Sequence, residues 1–447
     1  MKLISREDAQ YDVKRQIFNS AIDFHPAAIA VCESLEDVVE AVQLAKANDW
    51  TVAVRGGGHH LAGFAVAQDS LVIDLSAMKQ IVVNEETQTV SVEAGIKAGE
   101  LTAATQQYGL AVPLGTASAT GVFGVALGGG LGYLRGVHGL SCDNIIGATV
   151  VTAAGDVLEV SETAHSDLLW ALRGGGGNFG VVTKLMFQAY PIGTEVLGLD
   201  VMYDYADAKE IFTNAQRYIE QAPDEGVAVN FTIATLPPAP FIPEPLHFKT
   251  VVMVLGMYVG DPTVGEAVVQ PLRQLATPIV DQSGIMPYTV LQQKLDPMIP
   301  ERVNCYGTSL FFDDFTEATI DELIDTLAAP PVPGILTQIW SLGGKMNNVS
   351  ADHAAFATRD AKWLFLIDAM AMNGEDAICE QWIDALHDRL LPISHEQTSY
   401  LNAVGVKDYT TANAYKHQLE KLAKVKATYD PTNTFCNNHT IEAVETV

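Results

Sequence analysis

The hydrophobic spacing of this chain changes period several times in its first two hundred residues. Glu36 to Ala45 carries apolar positions at helical intervals and predicts a helix over 36–49, with Ser34 as a cap two places before it. Strand-like runs follow at 51–55, 70–75, 80–83 and 88–93, the last alternating as Thr89-Val90-Ser91-Val92. A helix is predicted over Ala98–Tyr108, then strands at 145–152 and 156–160, a short helix at Asp167–Leu172 and a strand at Val181–Tyr190. Near residue 195 the texture changes. From there to about 395 glycine-rich turns are few, helices are longer and connectors are proline-rich, as in Leu236-Pro237-Pro238-Ala239-Pro240. A helix over 411–427 and the turn at Thr428–Phe435 return the chain to its first part. The expected layout is a first domain over 1–195, a second α+β unit over 196–395 and a returning segment over 396–447.

At 447 residues, two domains are the natural expectation, and 48% hydrophobic residues suit a well-buried core. A net charge of −28 would repel nucleic acid and anionic membranes, so neither is expected as a partner. The five cysteines stand singly with no C-x-x-C pair, which argues against a disulfide framework and a zinc site; no metal is expected. No run of 18 apolar residues is present to span a bilayer, and the first residues lack the apolar core of a signal peptide. A soluble, cytoplasmic protein is the expectation.

Glycine carries the chemistry. The tract Arg55-Gly56-Gly57-Gly58-His59-His60 follows the apolar run Trp50–Val54, a second lies between Gly115 and Gly139, and a third is Gly174–Gly180. Without Cβ atoms, such backbone can approach a phosphate or a flat ring closely. A histidine ending such a run is a nucleophile beside whatever the glycines cradle. A nicotinamide site wants Gly-x-Gly-x-x-Gly after a strand, and Gly128-Gly129-Gly130-Leu131-Gly132 lacks that spacing. A P-loop wants Gly-Lys-Ser/Thr, and no tract contains lysine.

Taken in order, these tracts resemble the flavin domain of the berberine-bridge-enzyme-like FAD-linked oxidases, within the vanillyl-alcohol-oxidase superfamily. The matching segments are Val54–His59, Gly121–Gly132, Tyr133–Asn144 running into Ala148–Ala153, Leu169–Thr183, and Tyr429-Asp430-Pro431-x-Asn433-x-Phe435. The resemblance implies an α+β, two-domain PCMH-type FAD-binding fold, with an α+β substrate domain built on an antiparallel sheet. It implies FAD bonded covalently through His59 at its 8α position, with His60 the less favoured histidine. Arg55, Gly56, Gly57, Gly58, Gly63, Thr116, Thr120, Gly121, Gly124, Gly128, Val182, Phe435 and Asn438 are the further positions it assigns to the cofactor. Ala117 stands where twice-tethered members carry cysteine, so no second bond is expected.

The resemblance also implies that Thr120 stands where family members place the residue that gates dioxygen, valine accompanying oxidases and leucine dehydrogenases; threonine, nearly isosteric with valine, leans toward oxidase. Ser399-Tyr400-Leu401-Asn402 resembles the family's Tyr-x-Asn motif. It makes Tyr400 the candidate base, its phenol expected to be acidified by neighbours, or else a tyrosine packed against the flavin domain. Asn402 would hydrogen-bond behind it. Cys436 and Thr440 depart from the family's arginine and asparagine. Lys345 reads either as a charge partner for substrate or as a solvated surface lysine. The implied partners are a small-molecule substrate and dioxygen, which would yield hydrogen peroxide. A dehydrogenase or oxidative cyclase on the same scaffold, or a silent FAD- or ligand-binding member, is the alternative.

Overall fold

A computed structural model describes residues 1–221, 225–240, 242–372, 374–405, 407 and 411–444. The first helix runs Leu35–Ala47, and Ser34 caps it directly, its Oγ accepting from Asp37 N at 3.3 Å. Val38, Ala41, Val42 and Ala45 form its buried stripe. Beside it, a four-stranded sheet has the order Lys2–Ser5, Ala28–Val31, Leu71–Asp74, Val52–Arg55, its last two pairings parallel. A five-stranded antiparallel sheet follows in the order Ile81–Asn84, Thr89–Glu93, Val181–Gln188, Ile145–Val151, Val157–Ser161. One apolar core joins the Leu35–Ala47 helix to both sheets.

The region after residue 195 is organised by long strands that its sequence texture did not single out. An eight-stranded sheet includes Glu195–Asp204, Thr250–Tyr258, Val227–Thr235, Ile335–Ser341, Trp363–Ala371 and Asn304–Phe312, in that order, all antiparallel. Alternate residues separate its faces. Phe231, Ile339, Phe365 and Phe312 meet the helices Ala208–Glu220, Glu317–Leu327 and Asp376–Leu390 in one core. Leu255, Trp340, Leu364 and Phe311 instead join the core of the first sheets. The buried Arg135 guanidinium crosses this junction and donates to the carbonyls of Ser341 and Val229.

Local departures have local causes. The helix predicted to reach Tyr108 ends at Gln106, and the strand predicted to reach Tyr190 stops at Gln188. Tyr190–Pro191 pairs instead with Leu110–Ala111. The C-terminal helix is interrupted: Thr411–Tyr415 and Leu419–Tyr429 flank a tighter turn in which Lys416 has φ of 47°. The chain then returns to the first sheets, with Val52 N donating to Thr434 O at 2.9 Å. The last three residues of the 396–447 segment lie outside those described.

Candidate functional site

The three glycine tracts and the returning C-terminal segment converge on one cavity of about 260 Å³. Its wall is tightest where the first two tracts cross. A Cβ on Gly57 would lie 2.2 Å from Gly121 N, and one on Gly121 would lie 2.5 Å from Gly57 N. Only paired glycines permit that backbone contact. Gly56, Gly58, Thr120, Gly124, Gly128 and Val182 also line the cavity.

His59 and His60 both line it, in opposite states. The His59 ring stacks on Phe18, with centroids 4.6 Å apart, and no described residue hydrogen-bonds its nitrogens. Burial, with repulsion from Lys97, holds its pKa down at about 4, so the ring is neutral at pH 7 with an unengaged lone pair. His60 is fully engaged. Its Nδ1 accepts from Ala62 N at 3.1 Å, which fixes the proton on Nε2, and Nε2 donates to Leu401 O at 2.9 Å. Burial and then the nearby His439 lower its pKa to about 4.

The far end of the cavity is braced by a buried ion pair. Lys426 Nζ meets Asp430 Oδ2 at 2.6 Å and also donates to the carbonyls of Asn178 and Phe435. Asp430 in turn accepts from Phe435 N and Thr434 N, fixing the segment that carries Phe435 and Asn438 into the wall. Asn438 Nδ2 donates to Phe435 O at 3.0 Å, while its Oδ1 is buried without a partner. Such an orphaned acceptor in a cavity wall suits a donor on a bound molecule.

Several expected residues have other work. Arg55 does not line the cavity: its guanidinium holds the buried Asp74 carboxylate and the Lys14 carbonyl. Burial opposes ionisation of Asp74, yet Arg55 outweighs it and keeps the carboxyl below its usual range. Gly63 closes a turn, its N–H donating to His60 O at 3.0 Å. Thr116 sits in a bend tied to the second unit through Ser118 N to Asp296 Oδ1 and Gln292 Nε2 to Gly115 O. Neither Gly63 nor Thr116 reaches the lining, and Lys345 is exposed on the surface.

Tyr400 departs furthest from expectation. Its hydroxyl oxygen accepts from Gly130 N at 2.8 Å and Asn402 Nδ2 at 3.0 Å, and it does not line the cavity, although Asn402 does. Burial pushes the phenol up to about 12, against the effect of those two donors. The expected acidification is therefore reversed, and Tyr400 packs as a buried anchor between Phe356 and Phe311. Asn178, Tyr415, Asn437 and His439 line the cavity without having been assigned to it. The His439 Nε2 shares the Leu401 carbonyl with His60, at 3.0 Å. Its neighbours Asn438 and Thr440 were singled out, but a lone histidine in a turn carries no periodic signal.

Comparison with known proteins fits this geometry. A profile for an FAD binding domain matches residues 26–161, and a berberine and berberine-like profile matches 399–442. An FAD-linked oxidoreductase of Dictyostelium discoideum is 30% identical over 427 residues, spanning 94% of this chain and 89% of that one. This chain belongs to the berberine-bridge-like FAD-linked oxidoreductases. As a family member it is an FAD-binding enzyme. The crystal structure of 6-hydroxy-D-nicotine oxidase from Arthrobacter nicotinovorans superposes with a TM-score of 0.86 at 25% identity, covering 99% of this chain and 97% of that one. Glucooligosaccharide oxidase from Acremonium strictum superposes at 0.85 with 24% identity, covering 99% and 97%. The latter structure is described as carrying a 6-S-cysteinyl, 8α-N1-histidyl FAD. The fold is thus the PCMH-type two-domain architecture. The wall fits the cofactor: glycine backbone allows close approach, Val54, Leu75 and Val182 supply an apolar bed, and Asn438 Oδ1 awaits a donor.

Proposed function

We propose that this protein is an FAD-dependent oxidase acting on an alcohol or amine carbon of a small molecule, with dioxygen as the electron acceptor and hydrogen peroxide as the product. When bound, FAD supplies a two-electron acceptor that dioxygen can re-oxidise. The observation that carries the reading is His59: a neutral, unengaged imidazole in the cavity wall, held flat by Phe18. It is suited to tether the cofactor as the nucleophile of a covalent bond. His60, with both ring nitrogens occupied, is suited to hold the Leu401 carbonyl instead. Gly57 and Gly121 would let the cofactor approach the backbone closely, and the unpartnered Asn438 Oδ1 would accept a hydrogen bond from it. Ala117, without a sulfur, leaves the tether single. Thr120 ties its hydroxyl to Ala117 O at 2.7 Å, which supports a small gate beside the cofactor.

The test is the fate of the yellow colour in acid precipitation. Colour that follows the wild-type polypeptide and leaves His59→Ala supports the tether; colour released from both removes it. Peroxide release with glucose oligosaccharides and 6-hydroxynicotine, the substrate types in its relatives' names, then tests the oxidase reading. Turnover only with an artificial acceptor would favour a dehydrogenase.

A further inference from the structure

No described residue hydrogen-bonds the His59 nitrogens, so the orientation of that ring is set by what packs against it. The torsion that turns a histidine ring is broad and nearly two-fold, and only a flat neighbour narrows it. Phe18 is that neighbour: the two ring planes lie within 17° of each other, with centroids 4.6 Å apart. Phe18 belongs to a short strap, residues 17–20, bonded on one side to the His59 loop and on the other to the start of the second unit's strand Asn304–Phe312. Toward the loop, Phe18 N donates to Gly58 O at 3.0 Å, and Asn19 Nδ2 donates to Leu61 O at 2.7 Å. The histidine pair is thus pinned at the residue before His59 and at the residue after His60. Toward the second unit, Val303 N donates to Phe18 O at 3.1 Å and Ser20 N to Val303 O at 2.9 Å. Ser20 Oγ donates to Asn304 Oδ1 at 2.6 Å.

Asn19 joins the two sides through one side chain. It is buried and uses every hydrogen-bonding position of its amide. Besides Leu61 O, Nδ2 donates to Cys305 O at 2.8 Å, while Oδ1 accepts from Cys305 N at 3.0 Å and Ala21 N at 3.1 Å. A buried amide with four partners is a rigid spacer, because moving any one of them strands a polar group away from water. Beside it, Leu61, Val303 and Cys305 form a small apolar core with Phe18 and Met370 packed against it.

We propose that Phe18 and Asn19 are positioning residues for the covalent attachment of FAD: they hold the His59 imidazole in the orientation that bond formation needs, and they make attachment depend on contact between the two units. Both roles rest on the single tether argued above. In the balanced step, one C–H bond of the flavin 8α-methyl breaks, and the lone pair of an imidazole nitrogen forms the C–N bond. The C–H electron pair stays on the flavin ring system, which takes up the two protons released, one from the methyl and one from the imidazole N–H. Dioxygen then removes that pair with both protons as hydrogen peroxide, leaving oxidised, tethered FAD. Phe18 and Asn19 exchange no electron or proton in this sequence; they narrow the ring orientations from which it begins.

The experiment compares the full chain as wild type, Phe18→Leu, Phe18→Trp and Asn19→Ala, each purified from riboflavin-starved cells and then given FAD in air. Two quantities are followed in time: flavin bound per chain, from the visible spectrum, and the share of it retained by acid-precipitated polypeptide. Phe18→Leu should bind FAD to the wild-type level yet attach it about 10-fold more slowly or worse, and Phe18→Trp, which restores a flat face, should return most of the rate. Asn19→Ala should also attach FAD slowly; should it prove too unstable to purify, the two Phe18 variants decide. A wild-type rate of attachment in Phe18→Leu or Asn19→Ala overturns the positioning role and leaves the tether standing. Equal loss of binding and attachment in Phe18→Leu, unrelieved in Phe18→Trp, overturns it as well, since the strap would then serve the fold alone. Colour released by acid from the wild type removes the tether itself, and the positioning role with it.

Discussion

On the glycine wall of the cavity, backbone meets backbone: Gly57 and Gly121 approach so closely that neither tolerates a Cβ. On the inner face of the large sheet, side chains stand at every second position, and Asp368 reaches the junction only because Gly307 lies opposite. The first wall is written in runs of adjacent letters. The second is written in the register between strands about sixty residues apart. The glycine wall can therefore be read from short motifs, whereas the side chains that stand on the sheet are brought together by pairing.

The comparison can be broken most forcefully where a charge supports the first wall. Lys426 and Asp430 are both fully buried, and Lys426→Met strands the carboxylate beneath Phe435. We expect a loss of about 3–5 kcal/mol in urea unfolding, with FAD content falling in parallel. Gly57→Ala comes next. Its new methyl meets the Gly121 backbone, which has no rotamer with which to yield, so a loss of about 3 kcal/mol and weakened FAD retention are expected. Retention of full FAD content in Gly57→Ala would remove the claim that backbone contact shapes this wall.

The smallest effect concerns pH. His60 has a folded pKa of about 4, below its unfolded value of about 6.5. The unfolded state thus binds a proton that the native state refuses, and stability present above about 6.5 is lost as pH falls toward about 4. His60→Phe should show a shallower decline of melting temperature across that window than wild type does. A parallel decline in both proteins would mean that His60 is not held neutral.

Much of the first domain was legible. The helix Leu35–Ala47, its Ser34 cap and the strands through Val181–Gln188 follow local periodicity, because each buries one face against a neighbour in the same stretch of chain. The glycine tracts pointed to the cofactor because Gly57, Gly121 and Gly128 are dictated by close approach rather than by packing volume. Arg55 shows the limit of that reasoning. Its place in the motif suggested cofactor contact, but its charge is consumed by Asp74, which lies 19 residues on and reaches it through a parallel strand pair.

Sequence by itself determined the cofactor class, the first domain's elements and His59 as the tethering candidate, since adjacent residues act together there. Tertiary structure alone decided three matters. It settled which histidine has a free lone pair, because His60 is occupied by Leu401, 341 residues away. It set the Tyr400 phenol between Phe311 and Phe356 with its pKa raised rather than lowered, because desolvation outweighs its two donors. And it brought Asp368 beside Leu61, because an electrostatic environment is a property of the atoms that surround a group, and strand register chooses those atoms.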